Sequence, residues 1–227
     1  MSPAPNRIPA DAARVLVVAK APQPGRTKTR LAATVGDVRA AELSAAALLD
    51  TVRACREAFG TSRCNLSLAG DLDDAVDAAR LQAALAGWTI RSQTGGDFGD
   101  RLARAHQEID GPVIQIGTDT PQITPNALQG VVDLLDGADA VLGPATDGGW
   151  WVLALNDPRH AACLRDVPMS IATTGEHTLA ALRGRGLAVA LAPEMHDVDV
   201  AADAEIVARL APDTEFARSW QLAVSAS

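Results

Sequence analysis

The sequence has few cysteines and no long apolar run, and each scarcity excludes a class of protein. Its three cysteines, Cys55, Cys64 and Cys163, are odd in number, widely spaced and surrounded by apolar residues. They therefore predict reduced thiols in the core rather than a disulfide framework or a zinc site. No apolar segment approaches the roughly 20 residues that span a bilayer, and residues 1–13 lack the hydrophobic stretch of a secretion signal. These features predict a cytoplasmic protein with no membrane partner.

Positive charge is also scarce. The formal net charge is −8 over 227 residues, and the isoelectric point is near 4.9. Nucleic acids and anionic membranes select for extended basic surfaces, so we expect neither as a partner. The hydrophobic content of 48% is ordinary for a globular protein with a core. We predict one domain over residues 14–212, a flexible N-terminus at 1–13, and a C-terminal tail at 213–227 that is either frayed or docked as an arm.

Short apolar runs alternate along the chain with Ala- and Leu-rich segments of helical period. This alternation predicts an α/β architecture, with a mostly parallel sheet covered by helices on both faces. Strands are predicted at 14–19, 65–69, 89–91, 113–117, 140–142, 151–155 and 188–191. Helices are predicted at 37–59, 73–85, 98–108, 125–135, 175–183 and 201–210. Three histidines, His106, His160 and His177, are expected on helix surfaces.

The loop after the first strand is the most distinctive segment. Lys20, Arg26, Lys28 and Arg30 lie within eleven residues of an otherwise acidic chain. Their mutual repulsion is offset when a polyanion binds, so the loop predicts a nucleotide or another phosphorylated metabolite as its ligand. The alternative interpretation is a solvated loop after a strand.

Acidic residues follow later strands of the predicted sheet. Parallel strands place their carboxyl ends at one edge, where ligands of open α/β sheets bind. Asp119 and Asp147 each follow a strand, and Asp197 and Asp199 face the same side of an extended segment. Carboxylates beside a polyphosphate can hold a divalent cation that bridges phosphate oxygens. As alternatives, Asp119 and Asp147 are turn residues, and Asp203 favours the start of the next helix.

Two tryptophans follow the turn at Asp147. Adjacent strand residues point to opposite faces, so one member of the pair is expected in the core. Trp150, which is nearer the glycines, is assigned to the site, where its ring would face a sugar. Gly148 and Gly149 would let a ligand approach the backbone closely.

Five motifs in a fixed order resemble a known group of enzymes. They lie at 19–31, 96–102, 117–121, 143–151 and 197–199, and they span nearly the whole chain. The set resembles the nucleotide-diphospho-sugar transferase superfamily of GT-A fold, and more closely a bacterial group of small GT-A-like glycosyltransferases of the DUF2064 type, some linked to arsenosugar biosynthesis. It is also similar to 2-phospholactate and molybdenum-cofactor guanylyltransferases. The resemblance implies a three-layer α/β/α fold with a mixed, mostly parallel sheet.

The resemblance also implies roles by position. A divalent metal, Mg²⁺ or Mn²⁺, would bind Asp119 and Asp199. The nucleotide would contact the basic loop and two later turns, through Lys20, Pro22, Gly25, Arg26, Lys28, Arg30, Gly96, Asp97, Arg101 and Thr118. Two departures stand out: the family's Asp-x-Asp is reduced to Thr118-Asp119-Thr120, and Pro22, Pro24 and Gly25 replace a Gly-rich loop.

Two reactions are compatible with these residues. In glycosyl transfer, a nucleoside-diphosphate sugar donates its sugar to a small-molecule acceptor. Asp147 then orients the sugar or acts as the base, and Gly148, Gly149 and Trp150 contact the substrate. In nucleotidyl transfer, a substrate phosphate attacks a nucleoside triphosphate and releases pyrophosphate, while Lys28 and Arg30 stabilise the transition state. Glycosyl transfer is favoured by the closest motif match. A nucleotide-binding protein without turnover is a third interpretation, and a homodimer stays open.

Overall fold

The computed structural model describes residues 12–225, and its centre is a seven-stranded sheet. The strands are Arg14–Lys20 (β1), Cys64–Ala69 (β2), Thr89–Ser92 (β3), Val113–Ile116 (β4), Ala140–Pro144 (β5), Trp150–Leu155 (β6) and Val189–Leu191 (β7). Their order across the sheet is β3-β2-β1-β4-β6-β5-β7. Only β6 runs antiparallel to its neighbours β4 and β5. The prediction of a mixed, mostly parallel sheet is confirmed.

Helices cover both faces of this sheet. They are Thr29–Val35 (α1), Asp37–Phe59 (α2), Ala78–Ala84 (α3), Phe98–Gln107 (α4), Pro125–Leu135 (α5), Thr174–Gly184 (α6), Ala201–Leu210 (α7) and Glu215–Ser225 (α8). Alternate residues of β1 enter opposite layers, because successive strand side chains point to opposite faces. Val15 and Val17 pack in the cluster that includes α2, α3 and α5, and Leu16 packs in the cluster that includes α4. The three-layer α/β/α prediction is therefore confirmed.

The cysteines lie where the sequence predicted them. Cys55, Cys64 and Cys163 are buried free thiols. Of the helices between residues 12 and 225, none is long and apolar enough to cross a membrane.

Besides the short 3₁₀ turn Thr61–Arg63, three helical segments among the described residues were not predicted. The first is α1, which begins inside the predicted basic loop, and the second is a 3₁₀ segment at Pro158–Asp166. The third is α8, whose Phe216 and Trp220 are buried. The segment after Pro212 is thus packed through residue 225 rather than frayed, whereas the domain boundary at 212 stays a prediction. Residues 1–11 and 226–227 lie outside the described part of the chain.

A buried carboxylate fixes the start of α8. Asp50 of α2 is 1% exposed, and its two oxygens accept hydrogen bonds from the backbone N–H groups of Glu215 at 3.0 Å and Phe216 at 2.8 Å. The first N–H groups of a helix have no partner within the helix, so Asp50 caps α8 from a distant part of the sequence.

The prediction that His106 lies on a helix surface is wrong. Its side chain, on α4, is fully buried, and its Nε2 lies 2.7 Å from Oε1 of Gln115 in β4. Burial disfavours the charged imidazolium and lowers the pKa of His106 to about 4, whereas the hydrogen bond that His106 donates to Gln115 Oε1 raises it.

This burial predicts a specific acid sensitivity. The unfolded imidazole has a pKa near 6.5, so below that pH the unfolded state binds the extra proton and stability falls until about pH 4. We expect the parent to lose about 2 kcal/mol more than His106→Gln between pH 7 and pH 5. Urea unfolding at the two pH values measures the difference. The exposed control His177→Gln should lose as much as the parent, and an equal loss in His106→Gln would contradict the assignment.

Candidate active site

The predicted acidic residues and part of the basic loop meet at the carboxyl edge of the sheet. The strands β1, β4 and β5 end there, and the segment after β7 joins them through a hydrogen bond from Val198 N–H to the carbonyl of Asp119, 2.8 Å long. A cleft of about 70 Å³ opens at this edge. Its lining residues are Gly117, Asp119, Thr120, Ala145, Asp147, Trp150, Trp151 and Asp197.

Three carboxylates form the centre of the site. Asp147, Asp197 and Asp199 each place an oxygen within 4.8 Å of the other two. Asp197 is buried, and its Oδ1 accepts hydrogen bonds from Thr146 Oγ1 at 2.9 Å and from the Asp147 backbone N–H at 3.0 Å. These bonds fix one carboxylate while the other two stay accessible. Such a cluster suits a hard divalent cation.

The pKa of Asp147 reflects this crowding. Partial burial raises it first, and the nearby charges of Asp197, Asp199 and Asp119 raise it further, against a hydrogen bond from the Gly149 backbone N–H. That bond joins Gly149 N to Asp147 Oδ1 at 2.7 Å and closes the turn after β5. Asp147 is thus both a turn residue and a member of the charge cluster.

Each predicted metal ligand is paired with a cation of the basic loop. The Lys28 ammonium donates to Asp119 and to the carbonyl of Val198. Arg30 Nη1 donates to Asp199 Oδ2 at 2.7 Å. The structure therefore brings Asp199 into the carboxylate cluster and leaves Asp119 beside it, bound to Lys28.

The remaining residues of the basic loop are oriented differently. Lys20 is exposed at the end of β1, and Arg26 is exposed with Nη1 3.2 Å from Gln23 Oε1. Pro22 is buried, and its carbonyl accepts from the backbone N–H of Val76 at 2.8 Å. Gly25 has φ +72° and forms the bend. Lys20 and Arg26 are therefore exposed to solvent and, within the described part of the chain, form no ion pair with the carboxylate cluster.

The turn before α4 stands apart from the cleft lining. Asp97 caps α4 by accepting from Asp100 N–H at 2.9 Å. Arg101 donates to the carbonyl of Gly96 at 2.9 Å and lies over the Phe98 ring, 5.5 Å from its centroid. Thr118 is half-buried between the cleft residues Gly117 and Asp119. The predicted nucleotide roles of Gly96, Asp97, Arg101 and Thr118 stay predictions.

One tryptophan of the pair is buried in the core as expected, and both line the cleft. Trp151 is 3% exposed and donates from Nε1 to the carbonyl of Pro193 at 2.9 Å. Trp150 is half-buried, lines the cleft, and donates from Nε1 to Thr178 Oγ1 at 3.2 Å. Its ring edge is therefore anchored on α6.

Two neighbouring residues, His196 and Asp197, both contact Thr146 next to the carboxylate cluster. His196 lies behind the cluster, with Nε2 3.1 Å from Asp203 Oδ1 and Nδ1 3.3 Å from Thr146 Oγ1. Asp203 also accepts from the backbone N–H groups of Asp199 and Val200, which confirms its predicted role at the start of α7. The ligands implied by the resemblance were Asp119 and Asp199, whereas the alternation of Asp197 with Asp199 had already indicated that both carboxylates reach one cation.

Comparison with solved structures identifies the same fold elsewhere. A protein from Desulfovibrio desulfuricans G20 that is assigned as a nucleotide-diphospho-sugar transferase is 25% identical, with a TM-score of 0.77 and 93% of each chain covered. The Rv0371c protein of Mycobacterium tuberculosis H37Rv, solved with manganese, is 18% identical over 88% of this chain and 100% of that chain, with a TM-score of 0.51. The 4-diphosphocytidyl-2C-methyl-D-erythritol synthase of Anaerococcus prevotii DSM 20548 is 10% identical over 87% and 96%, with a TM-score of 0.57.

The fold is thus shared with transferases and nucleotidyltransferases. None of the curated proteins compared with the chain matches it. A family model described as an uncharacterized protein conserved in bacteria matches residues 51–171, more than half of the chain. The chain belongs to this family, DUF2064.

Proposed function

We propose that this protein transfers a sugar from a nucleoside-diphosphate sugar to a small-molecule acceptor with the help of a divalent metal. The observation that carries the proposal is the carboxylate cluster of Asp147, Asp197 and Asp199, which directly adjoins the basic loop at one edge of the sheet. Cations for a diphosphate and ligands for a metal therefore meet in one place. The similarity to the D. desulfuricans protein favours a nucleotide sugar as donor.

The metal would be held by carboxylates of the cluster. Three hard oxygen donors within 4.8 Å of one another fit Mg²⁺ or Mn²⁺, and the predicted ligand Asp199 belongs to that set. When bound, such a metal neutralises charge on the departing nucleoside diphosphate. Asp119 remains a proposed further ligand, because it lines the same cleft.

The basic loop would hold the donor's diphosphate. The Arg30 side chain is 72% exposed, and Arg26 and Lys20 are exposed as well, so all three can reach a phosphate outside the cleft. A guanidinium group can donate two parallel hydrogen bonds to two oxygens of one phosphate, which orients the phosphate as well as neutralising its charge.

The transferred sugar and the acceptor would lie in the cleft beside Trp150. Trp150 is anchored there by Thr178 and offers an aromatic face to a sugar ring. The turn at Gly148 and Gly149 lies beside it, and Asp147 orients the sugar or takes the proton of the acceptor hydroxyl. These assignments are part of the proposal.

Nucleotidyl transfer is the second candidate. The erythritol synthase shares the fold, and Lys28 and Arg30 lie beside the cluster where a triphosphate would bind. In this reaction a substrate phosphate displaces pyrophosphate from the α-phosphorus, and the two cations stabilise the charge that develops.

Ligand-dependent melting and product analysis test the proposal together. A ligand that binds only the folded state raises the melting temperature. Nucleotide sugars, nucleoside diphosphates and triphosphates are compared with Mg²⁺, Mn²⁺ and chelator. We expect a metal-dependent shift with one nucleotide sugar and with its nucleoside diphosphate, and release of that diphosphate on turnover. Preference for a triphosphate with pyrophosphate release would support nucleotidyl transfer instead. Tight binding without any product would support a nucleotide-binding protein.

A further inference from the structure

Two cations of the basic loop, Lys28 and Arg30, form ion pairs with Asp119 and Asp199, and they differ strongly in solvent exposure. The Lys28 side chain is 7% exposed, and its ammonium joins Asp119 to the carbonyl of Val198. Its backbone is left-handed, at φ 49°, a conformation that non-glycine residues keep only where surrounding contacts hold them. Lys28 is therefore a fixed counter-ion that ties two segments together.

Arg30 is the opposite case. Its side chain is 72% exposed, and its partner Asp199 is 38% exposed. Ion pairs between exposed groups exchange readily, because water and other ions replace either partner at small cost. The Asp199 carboxylate is also one of the three that lie within 4.8 Å of one another. A guanidinium and a divalent cation therefore compete for the same negative charge.

We propose that Arg30 is an exchangeable counter-ion that couples metal binding to polyphosphate binding. Without a polyphosphate, the Arg30 guanidinium neutralises Asp199 and weakens the affinity of the cluster for a free divalent cation. A nucleoside diphosphate takes the guanidinium, which releases Asp199 to the metal. The second half of this exchange rests on the proposed function, since it requires a nucleoside diphosphate on the basic loop.

The coupling works in both directions. A diphosphate that raises the affinity of the site for metal must be bound more tightly in the presence of metal by the same factor. The site therefore selects the metal and the diphosphate as a pair over either one alone. Lys28 does not take part in the exchange, because its buried ammonium stays on Asp119.

Mn²⁺ binding without nucleotide is the decisive measurement. The electron paramagnetic resonance signal of free Mn²⁺ reports its affinity for the parent, Arg30→Met and Arg26→Met. Arg26 is the matched control, because it is an exposed arginine of the same loop that bonds Gln23 rather than a carboxylate. We expect Arg30→Met to bind Mn²⁺ about tenfold more tightly than the parent, within the usual range of coupling between sites, and Arg26→Met to match the parent.

The nucleotide arm uses UDP, GDP and CDP in melting experiments with and without MnCl₂. In the parent, the shift with both ligands should exceed the sum of the separate shifts. In Arg30→Met that excess should be smaller, because only the direct contact between metal and diphosphate remains. Equal Mn²⁺ affinities in all three proteins would overturn the proposal, as would an excess in Arg30→Met that is as large as in the parent. Tighter Mn²⁺ binding by Arg30→Met with no shift from any nucleotide would uphold the competition at Asp199 and refute the proposed function alone.

Discussion

Replacing Asp199 with asparagine is expected to remove at least 99% of the metal-dependent turnover, a loss of about 100-fold or more. Asn has nearly the same size as Asp, but its neutral amide is a poorer ligand for a hard divalent cation. Asp199 belongs to the three-carboxylate cluster, so the change removes one carboxylate of the proposed metal site. Even partners outside the ligand shell of a metal are typically worth about 10- to 100-fold in affinity or activity. Release of nucleoside diphosphate or pyrophosphate with Mn²⁺ measures the loss.

The fold of Asp199→Asn should survive. The backbone N–H of Asp199 donates to Asp203 at 3.0 Å, and this bond does not depend on the side chain at 199. Asp133→Asn is the control, because Asp133 is an exposed carboxylate on α5 whose Oδ1 lies 3.3 Å from Gln129 Nε2. It should turn over like the parent. Metal-dependent turnover of Asp199→Asn within a few-fold of the parent, at an unchanged melting temperature, would show that the cluster holds no catalytic metal.

The strands and most helices were predictable because their signals are local. The helix at 125–135 has an N-cap and a proline at its first position, and Thr124 Oγ1 indeed accepts from Ala127 N–H at 3.1 Å. Most strands are short apolar runs bounded by turn residues, whereas β3 has a single apolar residue, Ile90, and all seven strands overlap the predicted ones. Local chemistry decides these elements before any long-range contact is made.

The helix α8 has a local cap signal that the sequence prediction missed, because Thr214 Oγ1 accepts from Ala217 N–H at 3.1 Å. Long-range contacts add to this cap. Asp50, which lies 165 positions before Glu215, accepts from the Glu215 N–H, and packing against α2 and α7 buries Phe216 and Trp220. Tertiary contacts of this kind decide a helix that local propensity leaves open.

The site shows the same division. Strand direction alone predicted that Asp119, Asp147 and Asp199 reach one edge of the sheet. The partners of those carboxylates were beyond prediction, since Lys28 is 91 positions from Asp119 and Arg30 is 169 positions from Asp199. The sequence predicts which charged residues lie at the carboxyl edge of the sheet, whereas the positions of the side chains decide which of them form ion pairs.

Replacing Gly148 with alanine is expected to have the largest effect on stability. Gly148 has φ +85°, which side chains rarely adopt, and an added Cβ would lie 1.8 Å from the carbonyl oxygen of Ala172. That neighbour is backbone, and the Gly148 carbonyl accepts from Gly175 N–H at 2.8 Å, so the two segments cannot separate without losing a hydrogen bond. Overpacking together with the unfavourable φ should cost about 2–4 kcal/mol. For a protein of this size, that lowers the melting temperature by roughly 5–15 °C.

The same substitution at Gly130 is the matched control, because Gly130 lies within α5 and an added Cβ would meet no atom within 4 Å. Alanine there should leave the melting temperature unchanged or raise it, since glycine weakens a helix interior. Turnover adds a second readout for Gly148→Ala: Asp147 precedes the glycine, so a displaced turn moves a carboxylate of the cluster. A Gly148→Ala protein that melts and turns over like the parent would show that the turn at Asp147 is not held against Ala172 as the structure has it.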